Sequence, residues 1–546
     1  VKRLAERELN AGGRAASAGV RTEASSHEAH PRALAPANLV LTVLLSVIGA
    51  IVGIHMVVSL GITPSTSLVG ALAAMALARV PLKAFREFRS PHAQNLAQTS
   101  ISSATFGAAN SLFLPIGIPF LFGLPEMVAP MLIGVSLAML LDGWLLYRLF
   151  GSEIFPARNP WPLGVAAAEA IKAGDSGGRD GRLLLGGLAV GVVGSICALP
   201  MAAFGVALIG GLAAMTAFGV GLLVKSYALS YLNIDLARQY IPHGLMMGAG
   251  VTALMQVTFL VFKRSSPSPR SDVTEEPVAP VGRTLRFGAI GYLLIMVVLA
   301  LATGVYMGMS LGMLAFFVLY GAFAAFVHEI IVGIAAMHAG WFPAFAVALI
   351  TLLVGILLGL PPQALVVLAG FSAATGPAFA DMGYDLKAGY LLRGEGADRA
   401  FEREGRLQQT IAGMVGFGVA IVVVALTYQT FFSNGQTAPI NAAYVAAIKA
   451  GISGDTARNL LVWAIPGALL QLVGGSRRQL GVLLATGLLI GNPLAGWMVA
   501  AGLATRLLAA KVGKASGKSL EVFAGGVIAG DALHGFVHGL YATTRK

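Results

Sequence analysis

Ala170-Ile-Lys-Ala-Gly-Asp-Ser-Gly177 and Ala447-Ile-Lys-Ala-Gly-Ile-Ser-Gly454 are one eight-residue run written twice, differing only at Asp175 and Ile452. The copies lie 277 residues apart (447 − 170), close to half of the 546-residue chain. Two shorter matches keep the same order. Ser103-Ala-Thr-Phe-Gly107 pairs with Ser372-Ala-Ala-Thr-Gly376 at an offset of 269, and Gly244-Leu-Met-Met-Gly248 with Gly526-Val-Ile-Ala-Gly530 at 282. A repeat near half-length points to a duplicated chain.

Composition says where such a chain lives. Hydrophobic residues make up 56% and charged residues 11%, and the mean hydropathy is +0.78. A soluble protein of this size has too little polar surface to carry that load. Apolar stretches at 38–60, 126–149, 183–203, 204–224, 241–262, 287–306, 341–359, 410–426 and 481–501 are near the ~20 residues that cross a bilayer as helix. No barrel-like alternation occurs, so helices must satisfy the backbone in lipid. The 69 glycines suit closely packed membrane helices. The expected fold is an all-α polytopic membrane protein of about 14–16 crossings, in two repeated halves with short broken or re-entrant helices. Duplicated membrane proteins of this kind are often secondary transporters, with the substrate site where the halves meet.

The domain reading follows from polarity. Residues 1–37 form a polar, Ala/Ser-rich tail expected to be disordered and cytoplasmic. The first half runs over 38–262, a Pro/Ser-rich cytoplasmic linker over 263–286, and the second half over 287–542. The segment 38–60 reads as a first membrane helix and not a cleaved leader. Region 97–123, with Pro115 and Pro119, is open to one kinked helix or two short ones. An even number of crossings per half makes the repeats parallel, and an odd number makes them inverted.

The net charge of +12 sits mostly in loops and tails, including Arg79, Lys83, Arg86 and Arg89. It reads as positive-inside topology and not as nucleic-acid binding. The single Cys197 excludes an intrachain disulfide or thiolate cluster. No His-Glu-x-x-His or phosphate-loop pattern occurs, so neither an enzyme nor ATP-driven transport is expected, and no cofactor.

Chemistry gathers at a few polar positions. The two Ala-Ile-Lys-Ala-Gly segments are too short to span. Each reads as a helix of about 10–15 residues opened by Pro and closed by Gly. They are either parts of a transport site or amphipathic interfacial helices with Lys172 and Lys449 reaching for phosphates. Glu169 lies three residues before Lys172 and is placed to neutralise it. Asp381 and Asp385 share a helix face and, with Lys387, close an apolar segment. They are candidates for holding a coupling proton or for an ordinary charged helix end. His328-Glu329 and Asp142 interrupt apolar runs and are candidates because charge in lipid is costly. Asp531, His534 and His538 have metal-ligand spacing and form a weak metal candidate.

The stretch Ala380-Asp-Met-Gly-Tyr-Asp-Leu-Lys-Ala-Gly-Tyr-Leu-Leu392, followed by Gln408-Gln409, resembles a segment of the oligopeptide transporter superfamily. Pro162-Leu-Gly-Val-Ala-Ala-Ala-Glu-Ala-Ile-Lys-Ala-Gly174 is similar to another of its segments, and Gln98-Thr-Ser-Ile-Ser-Ser-Ala104 to its early Gln-Thr-x-x-Ser segment. Ala388 stands where Thr is usual. Asn-Pro-Gly and Lys-Ile-Pro-Pro-Arg segments are missing, which favours a prokaryotic or yellow-stripe-like branch. The resemblance implies a multi-pass protein of the plasma (inner) membrane and proton-coupled uptake of small oligopeptides or metal–chelate complexes. Its partners would be that substrate, protons and membrane lipid, with a homodimer one open oligomeric form. Candidate substrate or proton residues are Gln98, Ser103, Glu169, Lys172, Glu329, Asp381, Asp385, Lys387 and Lys449. The alternatives are an ion-coupled permease for another small solute, or an intramembrane metal-binding protein or enzyme.

Overall fold

Long apolar runs must pair their own backbone groups, and the computed structural model of the chain does so with helices. It describes residues 29–60, 70–71, 74–75, 89–176, 178–263, 278–340, 344–451, 454–512 and 517–544. The expectations for most of the tail (1–28) and linker (264–277), and for Arg79, Lys83 and Arg86, lie outside the described residues. Among the described residues the only β-type pairing is an isolated Phe150–Phe155 bridge. Nine helices there are long and apolar enough to cross a membrane, and three shorter apolar helices accompany them.

In chain order the first part holds α1 (Pro36–Leu60), α2 (Pro91–Phe106), α3 (Leu114–Phe122), α4 (Val128–Leu149), α5 (Pro162–Ser176), α6 (Gly178–Ile196), α7 (Met201–Ile209), α8 (Leu212–Leu232) and α9 (Ile241–Lys263). Then come α10 (Val281–Ala302), α11 (Leu311–Ala339), α12 (Ala344–Leu357), α13 (Pro362–Ala374), α14 (Pro377–Leu392), α15 (Arg399–Ser433), α16 (Asn441–Ala450), α17 (Gly454–Arg478), α18 (Leu480–Ile490), α19 (Pro493–Val512) and α20 (Gly517–Thr544).

Two long rods form the centre. Region 97–123 is one rod, because a π-helical stretch, Gly107–Phe113, joins α2 to α3 without a break. The second rod is α13–α14, interrupted at Thr375-Gly376, where Gly376 takes φ +98°. That left-handed backbone suits glycine alone. Pro377 then restarts the helix, since its fixed φ suits a first helical turn. The irregularities include Gly107 and Gly376, the two glycines that the sequence match sets side by side. The most apolar 18-residue window of the second rod is entirely buried.

The rods run in opposite directions. Gln98 meets Asp385 and Ser102 meets Asp381, while Gly370 lies against the carbonyl of Pro115. Residue numbers rise along one rod as they fall along the other. The rest packs around this pair, with α15 along α2, and α4 and α11 beside α14. Lipid-type surface lies outside, where Leu294, Leu301, Leu319 and Leu426 are exposed.

Small residues seam the parts before and after the linker. Gly187 and Gly191 of α6 face Gly526 and Gly530 of α20, and Gly244 and Gly248 of α9 face Leu460 and Ala464 of α17. A Cβ at Gly248 would stand 1.8 Å from the Ala464 carbonyl oxygen, so the backbones touch where a side chain would hold them apart. Gly248→Val should therefore destabilise the fold by about 1–3 kcal/mol. Thermal unfolding in detergent should show this, whereas Gly418→Ala, with open space around its added Cβ, should behave like the parent.

Candidate functional site

The polar face of α2 lies against the polar face of α14. Gln98 Nε2 donates to Asp385 Oδ1, and Ser102 Oγ donates to Asp381 Oδ1 at 2.9 Å. Both helices repeat the pairing after four residues, one helical turn. Asn95 Nδ2 donates to Gln98 Oε1 at 2.9 Å, which fixes the orientation of the Gln98 amide. Tyr384 lies electrostatically beside Asp381, with its hydroxyl buried and unpaired among the described residues. Asp381, Asp385 and Gln98 are all buried, so these donors replace water for the carboxylates.

A second layer backs the first. Gln409 Nε2, from α15, donates to Thr99 Oγ1 at 3.0 Å and to the Asp385 carbonyl. Its Oε1 accepts from Arg393 Nη1 at 3.1 Å. Arg393 makes a two-pronged pair with Glu402, at 2.7 Å from Nε and 3.2 Å from Nη2. Arg406 shares the same carboxylate, at 3.1 Å from its Nη2, and caps the Phe150 carbonyl at 3.0 Å. Lys387 Nζ donates to the Ala157 carbonyl at 2.8 Å and lies over the Tyr390 ring.

The expected site residues divide on this geometry. Gln98, Asp381 and Asp385 come together, with Lys387 two residues beyond Asp385 on α14. Ser103 does not join them; it packs toward Gly413 and Gly416 of α15, and its neighbour Ser102 makes the contact. Glu169 and Lys172 pair at 3.0 Å on α5, which packs on α14. Residues 162–171 are buried throughout, so α5 is packed inside the protein over that length. Its repeat copy α16 is half exposed, and Lys449 lies over the Phe122 ring at 5.7 Å. The identical pentapeptide thus has two environments.

Glu329 lies elsewhere, in a separate cluster with Asp142 and Tyr292. Asp531 Oδ2 accepts the Ala202 N–H at 2.8 Å, and His534 Nδ1 meets Ser195 Oγ at 2.9 Å. The His534 and His538 rings neighbour each other, yet no group of three or more His, Cys, Asp or Glu among the described residues could hold a metal. Asn95, Thr99, Ser102, Arg393, Glu402 and Arg406 are the polar residues that sequence reasoning passed over. The four-residue spacing of Gln98 and Ser102 in the Gln-Thr-x-x-Ser segment, the same as that of Asp381 and Asp385, was an available signal.

The charged layer carries a stability expectation. Glu402→Gln leaves two buried guanidiniums short of their counter-charge and should cost about 3–5 kcal/mol, read as loss of the monodisperse protein peak. Asp398→Ala removes the N-cap that accepts from Ala400 and Phe401 N–H and should cost only ~1 kcal/mol.

Residues 29–35 lie over this layer, with the Ala33 N–H donating to Gln408 Oε1. His30, ahead of the first span, packs against His92 and Phe401. Burial chiefly pushes its pKa from 6.5 down to about 4; the Pro31 carbonyl opposes this, Arg393 and His92 add to the lowering, and Glu404 opposes it. Because the undocked ring binds protons more readily than the docked one, docking is strongest above 6.5 and fades as pH falls toward about 4. Limited proteolysis of this segment should accelerate on acidification across that window, and His30→Gln should flatten the response.

Comparison with known proteins completes the picture. No curated protein matches the chain. The family profile described as OPT oligopeptide transporter protein matches residues 34–263 and 282–542, nearly all of the sequence on either side of the linker. The chain therefore belongs to the OPT oligopeptide transporter family.

Proposed function

We propose that this protein is a proton-coupled importer of small oligopeptides or metal–chelate complexes, of a prokaryotic or yellow-stripe-like branch, acting in the plasma membrane. The observation that carries the reading is the buried polar seam between α2 and α14, where Gln98 and Ser102 hold Asp385 and Asp381. Such groups are expensive in a membrane protein and are retained where they serve a pathway. A peptide or chelate offers amides, carboxylates and an amine, the groups that could take over these donors and acceptors.

The two parts of the chain are, on this reading, inverted repeats. Three observations support it. The matched rods are antiparallel, their irregularities fall at matched glycines, and glycine-lined seams join matched helices. Gly526 and Gly530 of α20, which pair in sequence with Gly244 and Gly248 of α9, face α6, while Gly244 and Gly248 face α17, the helix that the 277-residue offset matches to α6. Inverted repeats supply two near-equivalent arrangements of one bundle, opening on opposite sides of a fixed central site. On this reading, Lys387 and Lys172 meet an anionic part of the substrate.

Purified protein in proteoliposomes under an imposed inward proton gradient should accumulate either di- to tetrapeptides or iron–chelate complexes. Asp381→Asn should lower that uptake at least about tenfold, because the helix seam loses a charge used in transport. Absence of uptake for both classes by well-folded protein would remove this substrate assignment.

A further inference from the structure

Away from the α2–α14 seam, four elements bring a second acid cluster together. Asp142, midway along α4, is fully buried. Its Oδ1 accepts the Tyr292 hydroxyl of α10 at 2.7 Å, and its Oδ2 accepts the Gly376 N–H at 2.9 Å. Glu329 of α11 completes the group: it lines one cavity with Leu145 of α4 and with Phe326, whose ring packs on Tyr292, and it interacts electrostatically with Asp142. Its Oε1 is buried with no hydrogen-bond partner among the described residues. A small cavity opens there, lined otherwise by apolar side chains including Leu145, Phe155, Phe326 and Phe379.

Two neighbouring buried carboxyl groups without a cation are stable together only if one of them carries a proton. Nothing nearby offers another way to balance two charges. The titratable groups facing the pair are Tyr292 and the two acids themselves, and no lysine or arginine among the described residues acts on either carboxyl. His328 is adjacent in sequence, but its Nδ1 faces Thr375 Oγ1 at 3.4 Å. The arginine near the end of α4, Arg148, is engaged with Thr284 and Trp144. Tyr292 and the Gly376 N–H stabilise one negative charge on Asp142. A second charge at contact distance in this dry setting would be strongly repelled.

We propose that Asp142 and Glu329 share a single exchangeable proton and form the coupling site of the transporter. The proposal rests on the proton-coupled reading above and names where that proton is held. Gly376 makes the site consequential. It is the residue at which the second rod is interrupted, and it precedes the helix bearing Asp381 and Asp385. Asp142 therefore holds the N-terminal end of α14 directly. Gain or loss of the proton alters how strongly that N–H is held, and α14 is the helix that must part from α2 for substrate to pass.

Two readouts on the full-length protein in lipid test this. The first is the infrared band of protonated carboxyl groups at neutral pH, which needs no substrate. The wild type should show a band that Glu329→Gln and Asp142→Asn each abolish. Tyr292→Phe should retain it at a shifted frequency, and Asp381→Asn should leave it in place. A band that is missing from the wild type, or that survives both amide variants, overturns the proposal.

The second readout compares gradient-driven accumulation of di- to tetrapeptides with exchange of the same peptides across vesicles lacking a gradient. Glu329→Gln and Asp142→Asn should lose accumulation at least about tenfold while exchange stays within about twofold. Loss of exchange in monodisperse variant protein, or normal accumulation, overturns the coupling role. If wild-type protein neither accumulates nor exchanges peptide, the substrate reading fails, while the infrared result still decides whether the pair holds a proton.

Discussion

A helix buried on every side cannot keep carboxylates unless other protein groups replace the water they lose. That constraint fixes α14. Asp381 and Asp385 point from it one turn apart, and α2 answers with Ser102 and Gln98 at the same spacing and opposite direction. The match dictates the antiparallel course of the two rods and draws α15 in behind them through Gln409. It also explains a glycine. A Cβ at Gly389 would stand 2.1 Å from Gln409 Oε1 and 2.8 Å from Asn95 Oδ1, so a side chain there would displace the layer that orients Gln98.

Local regularities were readable from the residues. The apolar runs, the repeat, and Pro and Gly at the ends of short segments all act within a few residues, and the helices follow them. The common face of Asp381 and Asp385 was legible for the same reason. Partners across the bundle were not. Ser102 reaches Asp381 over 279 residues of sequence, and consecutive helix positions differ by roughly 100° in direction. The internal repeat therefore drew attention to Ser103, its first residue, whereas packing turned Ser102 toward the carboxylate. The cluster of Asp142, Tyr292 and Glu329 was beyond reach because each member comes from a different helix.

The repeated Ala-Ile-Lys-Ala-Gly run shows why identical sequence did not give identical surroundings. Adding 277 to Glu169 arrives at Ala446. The first copy thus has a carboxylate one turn before its lysine and can lie inside the protein with the charge partly matched. The second has none, and its lysine stays exposed against an aromatic face. On the duplication reading, both copies kept a helix, and the carboxylate one turn before the lysine is present in one and missing from the other. The seams of α6 with α20 and α9 with α17 diverged less, because backbone-to-backbone contact admits few residues other than glycine and alanine.

Seams and polar contacts suit different tasks. Glycine-lined seams gain stability from many close contacts that loosen together, so they resist small displacements. Hydrogen bonds between amides and carboxylates can be exchanged singly for bonds to a substrate. On the proposed reading, the seams stay intact while α14 shifts against α2. The position of Asp142 gives that shift a cause. It sits at the N-terminal end of α14, where unpaired N–H groups and the helix dipole favour negative charge. Asp381 follows Gly376 by five residues, a rise of about 7–8 Å. Added negative charge at the break holds the start of α14 against α4, and a proton weakens that hold. A change of one proton at the break and a change of hydrogen-bond partner at the seam therefore act on the same short rigid helix, so neither can proceed without altering the energy of the other.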